Sequence, residues 1–169
     1  FLEDFKNFLN RNNNLFRNND IFLLRNLSRK GIGFFISSGF YPDFIIWIKR
    51  GNKQHIIFID PKGIRNLGNF NDDKIQLCTT HIKEIEKRIK EELEAESEDT
   101  TVGLQLDAFI ISTSFYNDIK KIFGEGNYEK VDFENHNIFF QEDNDYIEKI
   151  LKKVGVVNYP AMNGGSLND

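Results

Sequence analysis

GFYPDFIIWIKRGNKQHIIFIDPKGI, residues 39–64, contains two apolar runs, FIIWI and IIFI, on either side of a turn at Gly51. Apolar runs that flank a short glycine-containing turn predict a β-hairpin, and we expect its strands at Phe40–Lys49 and Gln54–Asp60. Neither run alternates cleanly with polar residues, which is typical of strands buried on both faces. The segment therefore predicts two neighbouring strands in the middle of a sheet.

The sequence on both sides of this hairpin predicts further helices and strands. An amphipathic helix at residues 1–9 precedes Ile21–Leu27, which fits either helix or strand, and a strand at Ile32–Ile36. After the hairpin, Asp72 is a candidate helix N-cap, and apolar residues from Ile75 to Leu93 step by three and four, as in a long core-packed helix. The remaining predicted elements are a strand, a helix, a strand and a helix, at Leu104–Ser112, Asn117–Phe123, Ile138–Gln141 and Tyr146–Val154.

These elements predict an α/β fold with a mixed central β-sheet of about five strands, flanked by helices, because a long helix can return the chain to a parallel strand. A chain of 169 residues fits one domain. We place this domain at residues 1–157 and expect a loop-like tail at 158–169. The sole methionine is Met162, so we expect the domain to be excised from a larger protein.

Composition excludes several classes of protein. The single cysteine, Cys78, rules out an internal disulfide framework and a cysteine-based zinc site. No stretch approaches the roughly 20 apolar residues that a membrane span requires, and the amphipathic, charged start does not resemble a signal peptide. We therefore expect a cytoplasmic protein with no membrane partner.

The distribution of charge is more informative than its sum. The net charge of −4 argues mildly against a nucleic-acid ligand. Between Arg25 and Arg65, however, eight basic residues stand against two acids, whereas Asp72 to Asp99 holds ten acids and five basic residues. A local basic region of this kind favours phosphate binding, and scattered surface charge explains it equally well.

The two acids within the basic region are Asp43 and Asp60. A tight turn between the two strands brings both carboxylates to the same end of the hairpin, and strand alternation places Lys62 on the same side as Asp60. Carboxylate oxygens are the ligands that Mg²⁺ prefers, and a nearby ammonium can stabilise negative charge on a phosphate. The segment predicts a site for phosphoryl chemistry.

Pro42-Asp43 followed by Asp60-Pro61-Lys62 resembles the motif of the PD-(D/E)XK nuclease superfamily. The sequences around the motif, GFYPDF and FIDPKG, are most similar to the C-terminal endonuclease domain of type III restriction subunits and other helicase-linked restriction proteins. The resemblance implies a restriction-endonuclease-like fold and Mg²⁺-dependent cleavage of DNA, with Mn²⁺ able to substitute. It implies that Asp43, Asp60 and the Pro61 carbonyl hold the metal, and that Lys62 is catalytic. It also implies a helicase or ATPase region in the same full-length chain and, as a partner, a modification subunit.

Other residues are weaker candidates. Many members of this superfamily use an acid on the first helix, and Glu3, Asp4 or a residue upstream of Phe1 could supply it. We expect Trp47 to belong to the core rather than to a base-stacking surface. Candidate contacts to nucleic acid, each of which also fits ordinary solvent exposure, are Arg25, Arg29, Lys30, Arg65, Lys74 and Gln76.

Two other functions remain open from the sequence. A nuclease fold that is catalytically silent could serve as a nucleic-acid or protein-binding module. A protein-interaction module could instead use the acidic half of the long helix, and it would expose a large apolar patch. The sequence does not decide between DNA and RNA, although it carries no aromatic motif typical of RNA-binding domains.

Overall fold

The computed structural model describes residues 1–27, 30–34, 39–96 and 103–157. The strands within these residues are β1 (Asp20–Arg25), β2 (Phe44–Arg50), β3 (Lys53–Lys62), β4 (Gly103–Ser112) and β5 (Ile138–Phe140). The helices are α1 (Leu2–Arg11), α2 (Asp73–Gln76), α3 (Ile82–Glu96), α4 (Tyr116–Lys120), α5 (Lys130–Asn135) and α6 (Tyr146–Lys153). The element order confirms the predicted α/β class.

The five strands form one mixed sheet in the order β1-β2-β3-β4-β5. The β1–β2 and β2–β3 pairs are antiparallel, whereas the β3–β4 and β4–β5 pairs are parallel. The long helical segment between β3 and β4 supplies the crossover that a parallel pair requires. The hairpin at residues 44–62 therefore lies inside the sheet, as its apolar runs predict.

Helices cover both faces of the sheet, and each face has its own apolar core. We call the face that packs against α1 and α6 the α1 face, and the opposite one the α3 face. Ile57 and Ile59 point to the α1 face whereas Phe58 points to the α3 face, because side chains alternate along a strand. Full burial of each such side chain contributes about 1.5–3 kcal/mol, so this hairpin anchors both cores.

The strand predicted at Ile32–Ile36 is wrong where the structure describes it. Within residues 30–34 and 39–40 the pairing is a single bridge between Phe34 and Phe40, and residues 35 and 36 lie outside the described residues. The strand next to β2 is Asp20–Arg25 instead, which settles the ambiguous upstream segment. The Asn26 side chain bonds both backbone groups of Ile32, so the chain turns where a strand was expected.

The helix that follows the hairpin begins where the sequence predicts. The Asp72 carboxylate accepts a hydrogen bond of 2.9 Å from the backbone N–H of Lys74, which confirms the N-cap. A π-helical turn at Leu77–His81 separates α2 from α3. The spacing of apolar residues does not predict this turn. The sequence analysis also did not predict helix α5.

In the described part of the chain, no helix is long and apolar enough to cross a membrane. The predicted tail at 158–169 falls outside the described residues.

Candidate active site at the ends of the central strands

Asp43 and Asp60 are neighbours at one end of the β2–β3 pair. Phe44 pairs with Ile59 at the last step of the antiparallel ladder, so the next residues outward are these two acids. Each acid lies two positions from a side chain of the α3-face core, Ile45 or Phe58. Because side chains alternate along a strand, both carboxylates belong to the α3 face. The hairpin register thus places the acids together, as the sequence indicates.

Lys62 reaches the same place from β3. Its Nζ lies 2.6 Å from an Asp60 carboxylate oxygen, and only 20% of the Lys62 side chain and 13% of the Asp60 side chain are exposed. Nζ also lies 5.4 Å from the ring centroid of Phe40, a buried residue that limits where the ammonium can move. The structure brings together all three residues of the predicted motif.

The electrostatic environment of Asp43 shows how closely these charges interact. Burial raises the pKa of Asp43, and the negative charge of Asp60 raises it further. The positive charges of Arg25 and Lys62 oppose this shift without cancelling it. Two adjacent carboxylates, of which Asp60 alone is ion-paired among the described residues, provide the oxygen ligands that a hard divalent cation prefers.

Replacing Asp43 by Asn is expected to stabilise the metal-free protein at neutral pH. Because the pKa of Asp43 is raised in the folded chain, its ionisation costs folding free energy, and that cost is complete above the folded pKa. Below the unfolded pKa of about 3.9 both states hold the proton, so variant and parent should converge. The carboxylate is solvent-accessible, so we expect a gain on the order of 0.5 kcal/mol.

Thermal unfolding in a metal chelator, followed from acid to neutral pH, measures this effect. Asp20→Asn, which replaces an exposed carboxylate at the start of β1, is the matched control. An Asp43→Asn variant that is no more stable than its parent at neutral pH would contradict the strained environment described for this acid.

Asn26 organises the loop that carries Asp43, a role that the sequence analysis missed. The Asn26 side-chain amide donates to the carbonyls of Pro42 and Ile32 at 2.8 and 2.7 Å, and its backbone N–H donates to the carbonyl of Asp43 at 2.8 Å. Gly31 packs so closely that a Cβ atom there would lie 2.1 Å from Asn26 Oδ1. An Asn directly after a strand is the available signal, because Asn side chains commonly bond nearby backbone.

Pro61 occupies a position where a missing N–H is tolerated. Pairing of β3 with β2 ends at Ile59, so Pro61 leaves no gap in that antiparallel ladder. Beyond it, the Lys62 carbonyl accepts a hydrogen bond of 3.0 Å from the Thr113 backbone. Strand β4 therefore fixes the backbone on which the candidate ligands sit.

Helix α1, which carries the predicted acids Glu3 and Asp4, packs on the other face of the sheet. Helix α1 packs on the α1 face through Phe5, whereas Asp43 and Asp60 belong to the α3 face. Asp4 accepts hydrogen bonds from Tyr146 at 2.8 Å and Gln141 at 3.3 Å, which tie α1 to the region of α6. Glu3 is exposed, and neither acid is among the charges that shift the pKa of Asp43. The role of Glu3 stays a prediction.

Among the predicted phosphate contacts that the structure describes, Arg25 lies close to Asp43. It ends β1 opposite Phe44, and its positive charge opposes the upward shift that burial causes in the pKa of Asp43. With Asp43, it lines a cavity of about 370 Å³. Lys30 is exposed in the turn after β1, and Arg29 lies outside the described residues. Arg65 lies 3.4 Å from the Asp118 carboxylate in an exposed ion pair.

Lys74 and Gln76 have structural contacts of their own. Gln76 donates from its side-chain amide to the Phe70 carbonyl at 2.9 Å, which orders the loop before α2. Both side chains are partly exposed. Their contact with nucleic acid stays a prediction.

In the part of the chain that the structure describes, no group of three or more His, Cys, Asp or Glu side chains could hold a metal ion. The predicted metal site would therefore depend on Asp43, Asp60 and the Pro61 carbonyl, and metal binding stays a prediction. Comparison with protein-family models, with curated proteins and with solved structures found no match to this chain, so its function has to be inferred from the site alone.

Proposed function

We propose that this chain is a divalent-metal-dependent endonuclease that hydrolyses DNA phosphodiester bonds, and that it serves as the cleavage domain of a restriction or helicase-linked defence protein. The observation that carries the proposal is the convergence of Asp43, Asp60 and Lys62 on one face and one end of the central strands. A partly buried pair of like charges costs stability unless a ligand compensates it, so perturbed carboxylates in a cleft are typical of functional sites.

Each residue has a distinct role in this proposal. Asp43, Asp60 and the Pro61 carbonyl would hold Mg²⁺ or Mn²⁺, which polarises a phosphodiester and lowers the pKa of a bound water. Lys62 would stabilise the negative charge that develops on the phosphate. Asp60 positions the Lys62 ammonium through their 2.6 Å contact. Arg25, next to Asp43, would draw the phosphate backbone toward two acids that otherwise repel it.

The test is DNA cleavage by this chain with Mg²⁺ or Mn²⁺, using supercoiled plasmid and a closed single-stranded circle. We expect weak, largely sequence-independent nicking that disappears with a chelator and declines as salt is added, because phosphate contacts supply the affinity. Agarose electrophoresis of nicked and linear products measures it. A closed circle is cut only by an endonuclease.

The same assay should be run on a version extended upstream of Phe1. We propose that a helicase or ATPase region in the same full-length chain, with a modification subunit, supplies DNA affinity and controls cutting. If neither version cuts any of the DNA forms with Mn²⁺, the nuclease proposal is refuted.

A catalytically silent nuclease-fold module is the second candidate. It is favoured by one observation: helix α1 packs on the opposite face from Asp43 and Asp60, and among the described residues no third acidic side chain joins them to form a metal-binding group. Calorimetry discriminates the two candidates. The silent module predicts DNA binding without measurable binding of Mg²⁺ or Mn²⁺, whereas the nuclease predicts metal binding that disappears when Asp60 is replaced.

A further inference from the structure

Trp47 and Phe22 form an exposed aromatic pair on the sheet, although Trp47 is expected from sequence to lie in the core. The two residues are directly opposite each other in the β1–β2 ladder. Their ring centroids are 5.4 Å apart with the planes tilted by 40°, and 36% of Trp47 and 48% of Phe22 remain exposed. Leu24, on the same side of β1, is also 48% exposed. We call Phe22, Leu24 and Trp47 the β1–β2 platform.

On the α3 face, helix α3 packs on β3 and β4 and leaves the platform on β1 and β2 open. The residues Ile82, Ile85 and Ile89 of α3 belong to or pack on the α3-face core, which includes many side chains of β3 and β4. Within the described residues, none of that packing includes Phe22 or Trp47. The face on which Asp43 and Asp60 lie therefore continues into an uncovered aromatic surface.

The position of the platform relates it to the candidate active site. Asp43 and Trp47 are four residues apart along the β2 segment and point to the same face, so about 13 Å of strand separates them. This distance corresponds to about four phosphate steps of a stacked strand of DNA.

A positive charge accompanies the aromatic surface on its own face. Lys49 follows Trp47 on that face and is exposed, whereas Arg25, which ends β1 opposite Phe44, alternates toward the α1 face near Asp43. Among the described residues, neither Lys49 nor Arg25 has a carboxylate partner within ion-pair distance, although Asp20 lies opposite Lys49 in the ladder. Exposed aromatic rings flanked by cations are the combination that binds unpaired bases and their phosphates.

We propose that the β1–β2 platform binds single-stranded DNA by stacking unpaired bases on Trp47 and Phe22, with Lys49 contacting the backbone. Bases in a duplex are stacked on one another, so their faces reach a protein ring only when they are unpaired. The position of the bound bases relative to the cleaved phosphate rests on the proposed nuclease function. The binding itself does not. The substrate would then be DNA with an unpaired segment beside the cleavage point.

Trp47 is the only tryptophan of the chain, so its fluorescence reports on the platform directly. The experiment titrates a short oligodeoxythymidylate into this chain at low salt in a metal chelator, where no cleavage occurs. Stacking of thymine on indole should quench the emission to saturation, and added salt should weaken the binding. A blunt duplex of equal length should quench far less. Anisotropy of labelled DNA measures binding independently.

Phe22→Ala is expected to weaken single-strand binding about five- to tenfold, the lower end of what stacking on one ring contributes per base, because Phe22 shares its bases with Trp47. Phe115→Ala is the matched control, because Phe115 is 63% exposed and lies outside β1 and β2, at the start of α4. Circular dichroism should show that both variants fold. Equal affinities of the two variants would overturn the proposal.

Three other outcomes would also overturn it. Single strands could bind without changing Trp47 fluorescence, or a duplex could quench that fluorescence as strongly as a single strand does. The Trp47 fluorescence could also change with protein concentration in the absence of DNA. The last would indicate that the platform pairs with a second copy of the chain. If single-stranded DNA quenches Trp47 but is not cleaved in Mn²⁺, the binding proposal stands and the nuclease proposal is rejected. Failure of one proposal is therefore distinguishable from failure of the other.

Discussion

DNA cleavage by a Lys62→Ala variant is expected to fall about 10²- to 10³-fold below that of the parent, the usual loss when one preorganised stabiliser of transition-state charge is removed. Binding of Mn²⁺, measured by calorimetry, should be retained or strengthened. The reason is that the Lys62 ammonium, only 2.6 Å from Asp60, competes with the metal ion for that carboxylate. Removal of the ammonium leaves the Asp60 oxygens available to the metal.

The aspartate variants should behave differently. Asp43→Asn and Asp60→Asn remove candidate metal ligands, so both metal binding and cleavage should fall below detection. Lys87→Ala, which removes a 77% exposed lysine of α3, should leave both unchanged. If Lys62→Ala cuts as well as the parent, the assigned role of this lysine is wrong. If it loses metal binding together with cleavage, its role is structural.

Asn137→Ala is expected to destabilise the fold by about 2–4 kcal/mol, although Asn137 is not part of the candidate site. Its buried side-chain amide donates to the carbonyls of Cys78 and Ala108 at 2.6 and 3.1 Å. Cys78 belongs to the π-helical turn, in which the regular helical hydrogen bonding is interrupted. Alanine would leave two buried carbonyls without this donor, each at a cost of about 1–3 kcal/mol.

The backbone adds to this cost. Asn137 has a φ of 59°, a left-handed conformation that asparagine tolerates and alanine does not. Asn137→Gly removes the amide but accepts this conformation, so it should be less destabilising than Asn137→Ala by about 1 kcal/mol. Asn135→Ala, at an exposed position of α5, should change little.

Urea unfolding of the parent and the three variants measures the differences in free energy. In thermal unfolding we expect a melting temperature for Asn137→Ala lower by roughly 5–15 °C. Equal stability of Asn137→Ala and Asn135→Ala would show that the amide does not hold the π-helical turn to the sheet.

The residues of the candidate site were predictable because local rules place them. A turn at Gly51 and two apolar runs determine the hairpin, and the register of a hairpin determines which residues meet at its open end. Alternation then places Asp60 and Lys62 on one face. The N-cap at Asp72 is equally local, since an Asp side chain satisfies a backbone N–H two residues away.

The rest depended on contacts between distant parts of the chain. Residues 20–25 and 32–36 have similar apolar composition, and only pairing with β2 and the bonds from Asn26 select the first as a strand. Trp47 resembles a core residue in sequence, yet its burial depends on which part of the sheet the helices cover. The bonds of Asn137 join segments 59 residues apart.

Periodicity and turn chemistry act over a few residues, so the sequence by itself determined the hairpin, the mixed sheet and the meeting of Asp43, Asp60 and Lys62. Coverage of a sheet face and the partners of buried amides depend on packing between elements far apart in the chain. The tertiary structure alone therefore decided that α1 lies on the opposite face from the acids, and that an aromatic surface remains open beside them.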